Sequence, residues 1–461
     1  MPTYQIGSVL TGGGWLHDAL VSVSEQGFIT AIDAARPGGG EHGNVRVPGV
    51  VVPGMPNAHS HAFQRAMAGD TEYRLGAHES FWTWREAMYA LANSVEPADL
   101  ELIATQLFIE MLKVGYTSVA EFHYLHRPTN GGTYGDGNAL WQALDAAAAA
   151  AGIALTLLPT LYLSSDFGAR PLLPEQQRFR LSVAEFLDAI AQRRSALESR
   201  PAASLYTGAA LHSLRAVPLE SLREAVAGLR AIAADGVIHI HIAEQLREVR
   251  ACQQATGRRP IELLLDTGLV DAHWCLVHAT HASAAEIRAV TASGASICVC
   301  PSTEGNLGDG FFDAARVLRA GAGLCIGSDS QATVSAAEEL RWLEYQQRLK
   351  RRRRAVLATR REPHVGARLW RETARTGARA LGQPVGSIEV GRRADWLVLD
   401  SDHPALAGAQ QDRVLDRLVF GAAAAAIRDV MVAGRWVVRD RRHAAEEQVG
   451  RRFSEWLRQR T

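Results

Sequence analysis

The chain has 461 residues, 47% of them hydrophobic and 21% charged, which excludes a wholly disordered, collagen-like or coiled-coil chain. Its 49 basic residues balance 49 acidic ones, so no global field draws it to nucleic acid or to an anionic membrane. Only Lys113 and Lys350 are lysines, and beside so many alanines the arginine excess reads as a coding bias rather than an anion-binding cluster.

The N-terminal segment reads as short strands parted by turn signals. A first run ends at Leu10, Gly12–Gly14 follows, apolar positions alternate at Ala19, Val21 and Val23, and Gly38–Gly40 closes the segment after Phe28-Ile29. The C-terminal region has the same style around Asp395–Asp400 and Asp429–Val438. Neither end makes a core alone, so the two are expected to pair. The expected organisation is an N-terminal part of a β-sandwich over 1–52, a barrel over 53–385, the C-terminal part of the sandwich over 386–442, and a C-terminal helix over 443–461.

Between the ends lie eight apolar runs: Val51–His59, Tyr116–Tyr124, Ile153–Tyr162, Leu205–His212, Val237–Glu244, Trp274–Thr280, Ser296–Thr303 and Gly323–Ser330. Near-continuous apolar runs are the mark of strands buried on both faces. Helical segments such as Ala98–Val114, Val183–Leu197, Leu219–Ala234 and Ala284–Ala292 alternate with them. Eight strands with crossover helices predict a TIM-like (β/α)8 barrel, an α/β fold whose active residues sit at the C-terminal strand ends. No Gly-rich phosphate loop follows the first run, which disfavours an open doubly wound sheet. Thr129–Gly137 reads as a flexible loop beyond the second strand, and Lys350–Arg354 as a solvated helix face. Cys252, Cys275, Cys298, Cys300 and Cys325 form no disulfide framework or zinc-ribbon spacing, so free buried thiols in a reducing cytoplasm are expected. The N-terminus carries no secretory pattern, and no apolar stretch approaches the ~18 residues of a membrane span.

The chemistry-bearing residues fall at the predicted strand ends. In extended backbone His59 and His61 project to one side and can reach one point. His241 ends the fifth run with Glu244 just beyond, His278 ends the sixth, and Asp329 ends the eighth. Three imidazoles and a carboxylate suit Zn2+ or Fe2+ better than the oxygen cages of Ca2+ and Mg2+. No lysine lies near the third or fourth run to bridge a second metal as a carbamate, which favours a single ion. A metal of this kind activates water for attack on an sp2 carbon. With His59, His61, His241 and Asp329 completing the shell, Glu244 is placed to relay protons, His278 to orient the hydroxide, and Asp329 to accept the water proton. The reaction class is hydrolysis or hydrolytic deamination.

The segment Pro53-Gly-Met-Pro-Asn-Ala-His-Ser-His-Ala-Phe-Gln-Arg-Ala-Met-Ala-Gly69 resembles the signature of the formimidoylglutamate deiminase branch of the metal-dependent amidohydrolase superfamily. The similarity continues through Glu121–Tyr124, Leu211–Arg215, His241–Glu244, Leu276–His278, Cys300–Asp309, Gly327–Asp329 and Gly391–Asp400. The resemblance implies conversion of N-formimino-L-glutamate and water to N-formyl-L-glutamate and ammonia, a step of histidine degradation. It implies one zinc per chain, with iron the alternative, held by His59, His61, His241 and Asp329, with Glu244 as proton shuttle and His278 beside the hydroxide. It implies substrate contacts from Gln64, Arg85, Tyr124, His212 and Arg215, and a homodimer. Those contacts make chemical sense, because guanidinium forks match the two carboxylates of such a substrate. The alternatives are a related deaminase of a nucleobase, nucleoside or triazine, whose pocket needs no pair of arginines, and a non-catalytic scaffold, which would lack metal ligands.

Overall fold

The run Val51–His59, expected as one barrel strand, divides at Gly54 between two sheets. The computed structural model describes residues 1–34, 43–74, 79–129, 132–135, 137–199 and 204–460. Its strands are β1 (Thr3–Thr11), β2 (Gly14–Val23), β3 (Ile29–Ala34), β4 (Val45–Pro53), β5 (Met55–Ser60), β6 (Tyr116–His123), β7 (Ala154–Leu161), β8 (Leu205–Thr207), β9 (Ala209–Leu211), β10 (Ile238–Ile242), β11 (Trp274–His278), β12 (Ser296–Val299), β13 (Gly323–Ile326), β14 (Trp396–Leu399), β15 (Ile427–Val432), β16 (Arg435–Arg439) and β17 (Arg442–His443). The first helices are α1 (Phe81–Ala92), α2 (Pro97–Lys113), α3 (Ala139–Ala151), α4 (Val183–Ser199), α5 (Leu219–Ile232) and α6 (Leu246–Thr256). They are followed by α7 (Pro260–Leu265), α8 (Ala284–Ser293), α9 (Pro301–Leu307), α10 (Ala314–Ala320), α11 (Ala336–Arg351), α12 (Val365–Leu381), α13 (Asp412–Arg417) and α14 (Glu446–Arg458).

Strands from both chain ends share one mixed sheet in the order β17-β16-β15-β14-β4-β1-β2-β3. The joint is β14 against β4, antiparallel, with Trp396 opposite Pro53. This sheet has its own apolar core, centred on Ile6, Val21, Val51, Trp396 and Met431. At Gly54 the chain leaves it for the barrel. A Cβ at Gly54 would lie 2.3 Å from the Thr117 side chain, so only glycine allows β5 to start that close to β6.

The second sheet runs β5-β6-β7-β9-β10-β11-β12-β13, with β8 also on β7. Its pairings are parallel, and an isolated bridge between Ser60 and Asp329 brings the last strand back to the first. Every residue of β5, β6 and β7 is buried, as strands covered on both faces must be. The four predicted helical segments form α2, α4, α5 and α8 within two residues at each end. The expected strand Leu205–His212 is two short strands, because Gly208 is pressed between Val237 and Leu158 and the chain steps there. Helix α12 covers the barrel closure, where Trp370 Nε1 donates to the carbonyl of Pro53 at 3.0 Å.

Among the described residues no helix is long and apolar enough to cross a membrane. Gly38–Gly40 and part of the Thr129–Gly137 loop lie outside the described residues. The basic run is not one helix face. Lys350 and Arg351 end α11, Arg351 pairs with Asp313 at 2.5 Å, and Arg352 turns the chain out with φ 52°.

The seam between β13 and β5 depends on Gly327. A Cβ there would sit 2.6 Å from His59 Cβ and 2.7 Å from its carbonyl oxygen. Because backbone forms part of that contact, it cannot simply rotate away. Gly327→Ala is expected to cost about 1–3 kcal/mol through overpacking and to weaken metal retention by displacing His59. Calorimetry with metal analysis checks this; an unchanged midpoint and metal content would show that the seam accepts a methyl group.

Candidate active site

The barrel's C-terminal strand ends converge on a cleft of about 660 Å³. His59 lies within β5, His61 just past it, His241 in β10, His278 at the end of β11, and Asp329 just past β13. Several of these positions leave the extended conformation sharply: φ is 70° at His278, 50° at Ala279, 46° at Asp329 and 52° at Ala243. Such left-handed residues are rare outside turns. Here they turn the chain at the barrel mouth while backbone bonds hold the seam. His61 N donates to Asp329 O at 3.1 Å, and Asp329 N to His59 O at 3.0 Å.

Around one point, His59 Nε2 and His241 Nε2 are 3.0 Å apart. Asp329 Oδ1 is 3.4 Å from His59 Nε2 and 3.3 Å from His61 Nε2. The other ring nitrogens of two of these imidazoles are committed. His61 Nδ1 donates to the carbonyl of Phe122 at 2.8 Å, and His241 Nδ1 to that of His212 at 3.0 Å. Each Nε2 therefore presents a lone pair inward. Burial pushes His59 down to about 3 and also lowers His61 and His241, so all three imidazoles are neutral, the form that ligates a metal. Burial works against the charge of Asp329, but the bond to His59 and the fields of His59, His278 and His61 hold its carboxyl below the usual range. The result is a cluster rich in acceptors, with the inward lone pairs of His61 and His241 beside the Asp329 carboxylate, which a cation satisfies. Ligands about 2.0–2.1 Å from a tetrahedral zinc stand roughly 3.3–3.4 Å from one another, so the spacing fits as well.

A second set of carboxylates surrounds this ring. His278 Nε2 is 3.8 Å from Glu244 Oε1 and 3.8 Å from Asp329 Oδ2, and its Nδ1 is 3.5 Å from Glu304 Oε1. Burial disfavours the imidazolium of His278, but the charge of Glu244, the Glu304 contact and the charge of Asp329 together raise its pKa. Burial raises Glu244, with His278 pulling the other way. A buried acid beside a cation-stabilised imidazole can hold a proton or give it up near neutral pH.

The five expected substrate residues line the same cleft. Gln64, in the turn after β5, donates to the Tyr124 hydroxyl at 2.9 Å. His212 follows β9 and stacks edge-on against Tyr162 at 4.5 Å. Arg85 projects from α1, and Arg215 lies in the turn after β9 with its buried Nε unpartnered. His59 alone of the expected site residues sits beneath the cleft rather than on its wall.

Sequence reasoning missed the carboxylates that hold these residues in place. Glu248 accepts from the backbone N–H of Ala243 and of Glu244, both at 3.0 Å, and so fixes the turn that carries Glu244. Glu121 accepts from Ser60 Oγ at 2.7 Å and Ala62 N at 2.6 Å, clamping the chain on both sides of His61. Glu304 accepts from Cys300 N at 2.9 Å and faces His278. Glu121 carried a signal, as an acidic residue inside an apolar strand run, whereas Glu248 in the charged first turn of α6 and Glu304 among polar residues carried none.

The sequence pattern of the amidohydrolase family matches residues 50–437. The formimidoylglutamate deiminase of Pseudomonas aeruginosa is 48% identical over 444 residues, 96% of either chain. The 8-oxoguanine deaminase of the same organism is 29% identical over 398 residues, covering 85% of this chain and 82% of its own. The crystal structure of an amidohydrolase from Brucella melitensis superimposes with a TM-score of 0.93 at 38% identity, covering 100% of this chain and 99% of the other. A match across the whole barrel and near-half identity along almost the entire length agree with the acceptor ring at its mouth: the chain belongs to the amidohydrolase family.

Proposed function

We propose that this chain hydrolyses N-formimino-L-glutamate to N-formyl-L-glutamate and ammonia, acting with one bound zinc, or iron(II) in its place. The observation that carries the reading is the joining of two features at one cleft: the cluster of His59, His61, His241 and Asp329, and the guanidiniums of Arg85 and Arg215 on the cleft lining. The relative at 48% identity is a formimidoylglutamate deiminase, while the nucleobase deaminase stands at 29%. A nucleobase has no carboxylate to repay the burial of two arginines; a substrate with a carboxylate at either end does.

A divalent cation in the ring supplies water activation, lowering the pKa of bound water towards ~7. The chain's own residues do the rest. Arg85 and Arg215 bind the two carboxylates and set the formimino carbon over the ring. Gln64 and Tyr124, already hydrogen-bonded to each other, and His212 fix its orientation. Glu244 takes a proton from the attacking water and delivers it to the formimino nitrogen, so that ammonia departs from the tetrahedral adduct and the C=O of the formyl group remains. His278, kept cationic by Glu244, Glu304 and Asp329, opposes the negative charge that develops on the attacking oxygen. Asp329, ionised at rest, can accept the second proton from the adduct's hydroxyl and hand it on to the same nitrogen, which needs both protons to leave as ammonia, so that the carboxylate ends ionised again.

All five cysteines are free and buried, which fits a cytoplasmic protein. Trp342, Tyr345 and Leu349 expose an apolar stripe on α11 that supports the homodimer reading.

Ammonia release from N-formimino-L-glutamate is expected with the zinc-loaded protein and is expected to vanish on chelation, with cytosine, guanine and adenosine inert in parallel. Turnover of a base alone would overturn the reading and leave Arg85 and Arg215 structural. Arg215→Ala should raise KM tenfold or more, about 1.4 kcal/mol of lost carboxylate binding, with metal content unchanged; loss of metal would remove Arg215 from the substrate wall. Glu244→Gln should retain zinc while kcat falls by about 10²–10⁴, and steady-state kinetics with metal analysis separates the two effects.

A further inference from the structure

The functional reading leaves unexplained how Arg85 is aimed. It stands on α1, and neither it, Arg215 nor Arg247 forms an ion pair among the described residues. What the three share is one indole. The Cζ atoms of Arg85, Arg247 and Arg215 lie 4.4, 4.1 and 5.9 Å from the Trp82 ring. Trp82 and Arg85 are three residues apart on α1 and so share a helix face. Arg247 comes from the first turn of α6, directly beyond Glu244 and Gln245. The indole therefore links the helix that carries Arg85 to the strand end that carries Glu244.

We propose that Arg247, through Trp82, is a positioning residue for the Arg85 guanidinium in substrate binding. The inference rests on the proposed function, since it supposes a carboxylate for Arg85 to grip. Aromatic faces attract guanidinium groups and orient them flat. With Arg247 held against the ring, the indole has less freedom to turn, and Arg85 meets a surface already in place. Burial lowers the Arg85 guanidinium from its ordinary value, and the charges of Arg215 and Arg247 add to that. A carboxylate placed against Arg85 offsets that unfavourable field. Arg247 is exposed and does not line the cleft, so it acts by setting up Arg85 before binding rather than by touching the substrate.

The test compares Arg247→Ala, Arg247→Lys, Trp82→Ala and Trp82→Phe in steady-state kinetics with N-formimino-L-glutamate, each also in an Arg85→Ala background. Arg247→Ala and Trp82→Ala are expected to raise KM about fivefold or more with kcat within twofold. Trp82→Phe, which keeps an aromatic face, should rescue most of the loss, and Arg247→Lys, which keeps charge but not the flat fork, should not. In the Arg85→Ala background Arg247→Ala should change KM by less than twofold, because its path to the substrate is gone. An unchanged KM in Arg247→Ala overturns the proposal, as does a rise of the same size without Arg85, which would make Arg247 an independent attractor of anions. If the wild type itself fails to release ammonia from this substrate, the functional reading falls. The stack is then tested by a crystal structure of Arg247→Ala, where an Arg85 that keeps its place against Trp82 overturns the inference.

Discussion

The structure turns on bringing more acceptors than donors together at one buried point. Three neutral imidazoles and an ionised carboxylate within hydrogen-bonding distance of one another repel or waste their lone pairs unless a cation joins them. Such a cluster persists only if the scaffold over-determines it. The barrel does so by making its closure and this cluster the same place. Asp329 and Ser60 form the bridge between last and first strands, His59 and His61 flank that bridge, and Gly327 leaves room for it.

The outer carboxylates follow from the same constraint. Burying Glu121, Glu248 and Glu304 is costly unless backbone N–H groups meet them, and each accepts at least one such bond. In return Glu121 and Glu248 fix the turns beside His61 and Glu244, while Glu304 holds the end of β12 and faces the His278 ring. One layer of buried carboxyl groups thereby sets the geometry around His61 and Glu244, and the carboxylates that face His278 raise its pKa.

On the cleft lining the sign of the problem reverses. Arg85 and Arg215 are largely withdrawn from water there, where aromatic rings stand beside them and the charges of Glu248 and Glu244 reach only Arg215. An unpaired cation pair facing an acceptor ring defines a ligand by its charges: anionic at its ends, with an electrophilic carbon between.

The sequence by itself determined the barrel and the ring, because both depend on local periodicity. A strand buried on both faces must be apolar throughout, and two histidines at i and i+2 must point one way, whatever they meet. Strand-end positions of His241, His278 and Asp329 were legible for the same reason. The tertiary structure alone decided where Val51–His59 breaks, since the need for glycine at 54 arises from Thr117, more than sixty residues later. That the two chain ends pair was expected because neither makes a core alone, but the tertiary structure alone fixed the joint, β14 against β4. It alone placed Glu304 behind His278 and Arg247 against Trp82, contacts between side chains far apart in sequence. Periodicity is a property of neighbours along the chain, whereas a buried charge finds its partner only when distant segments meet.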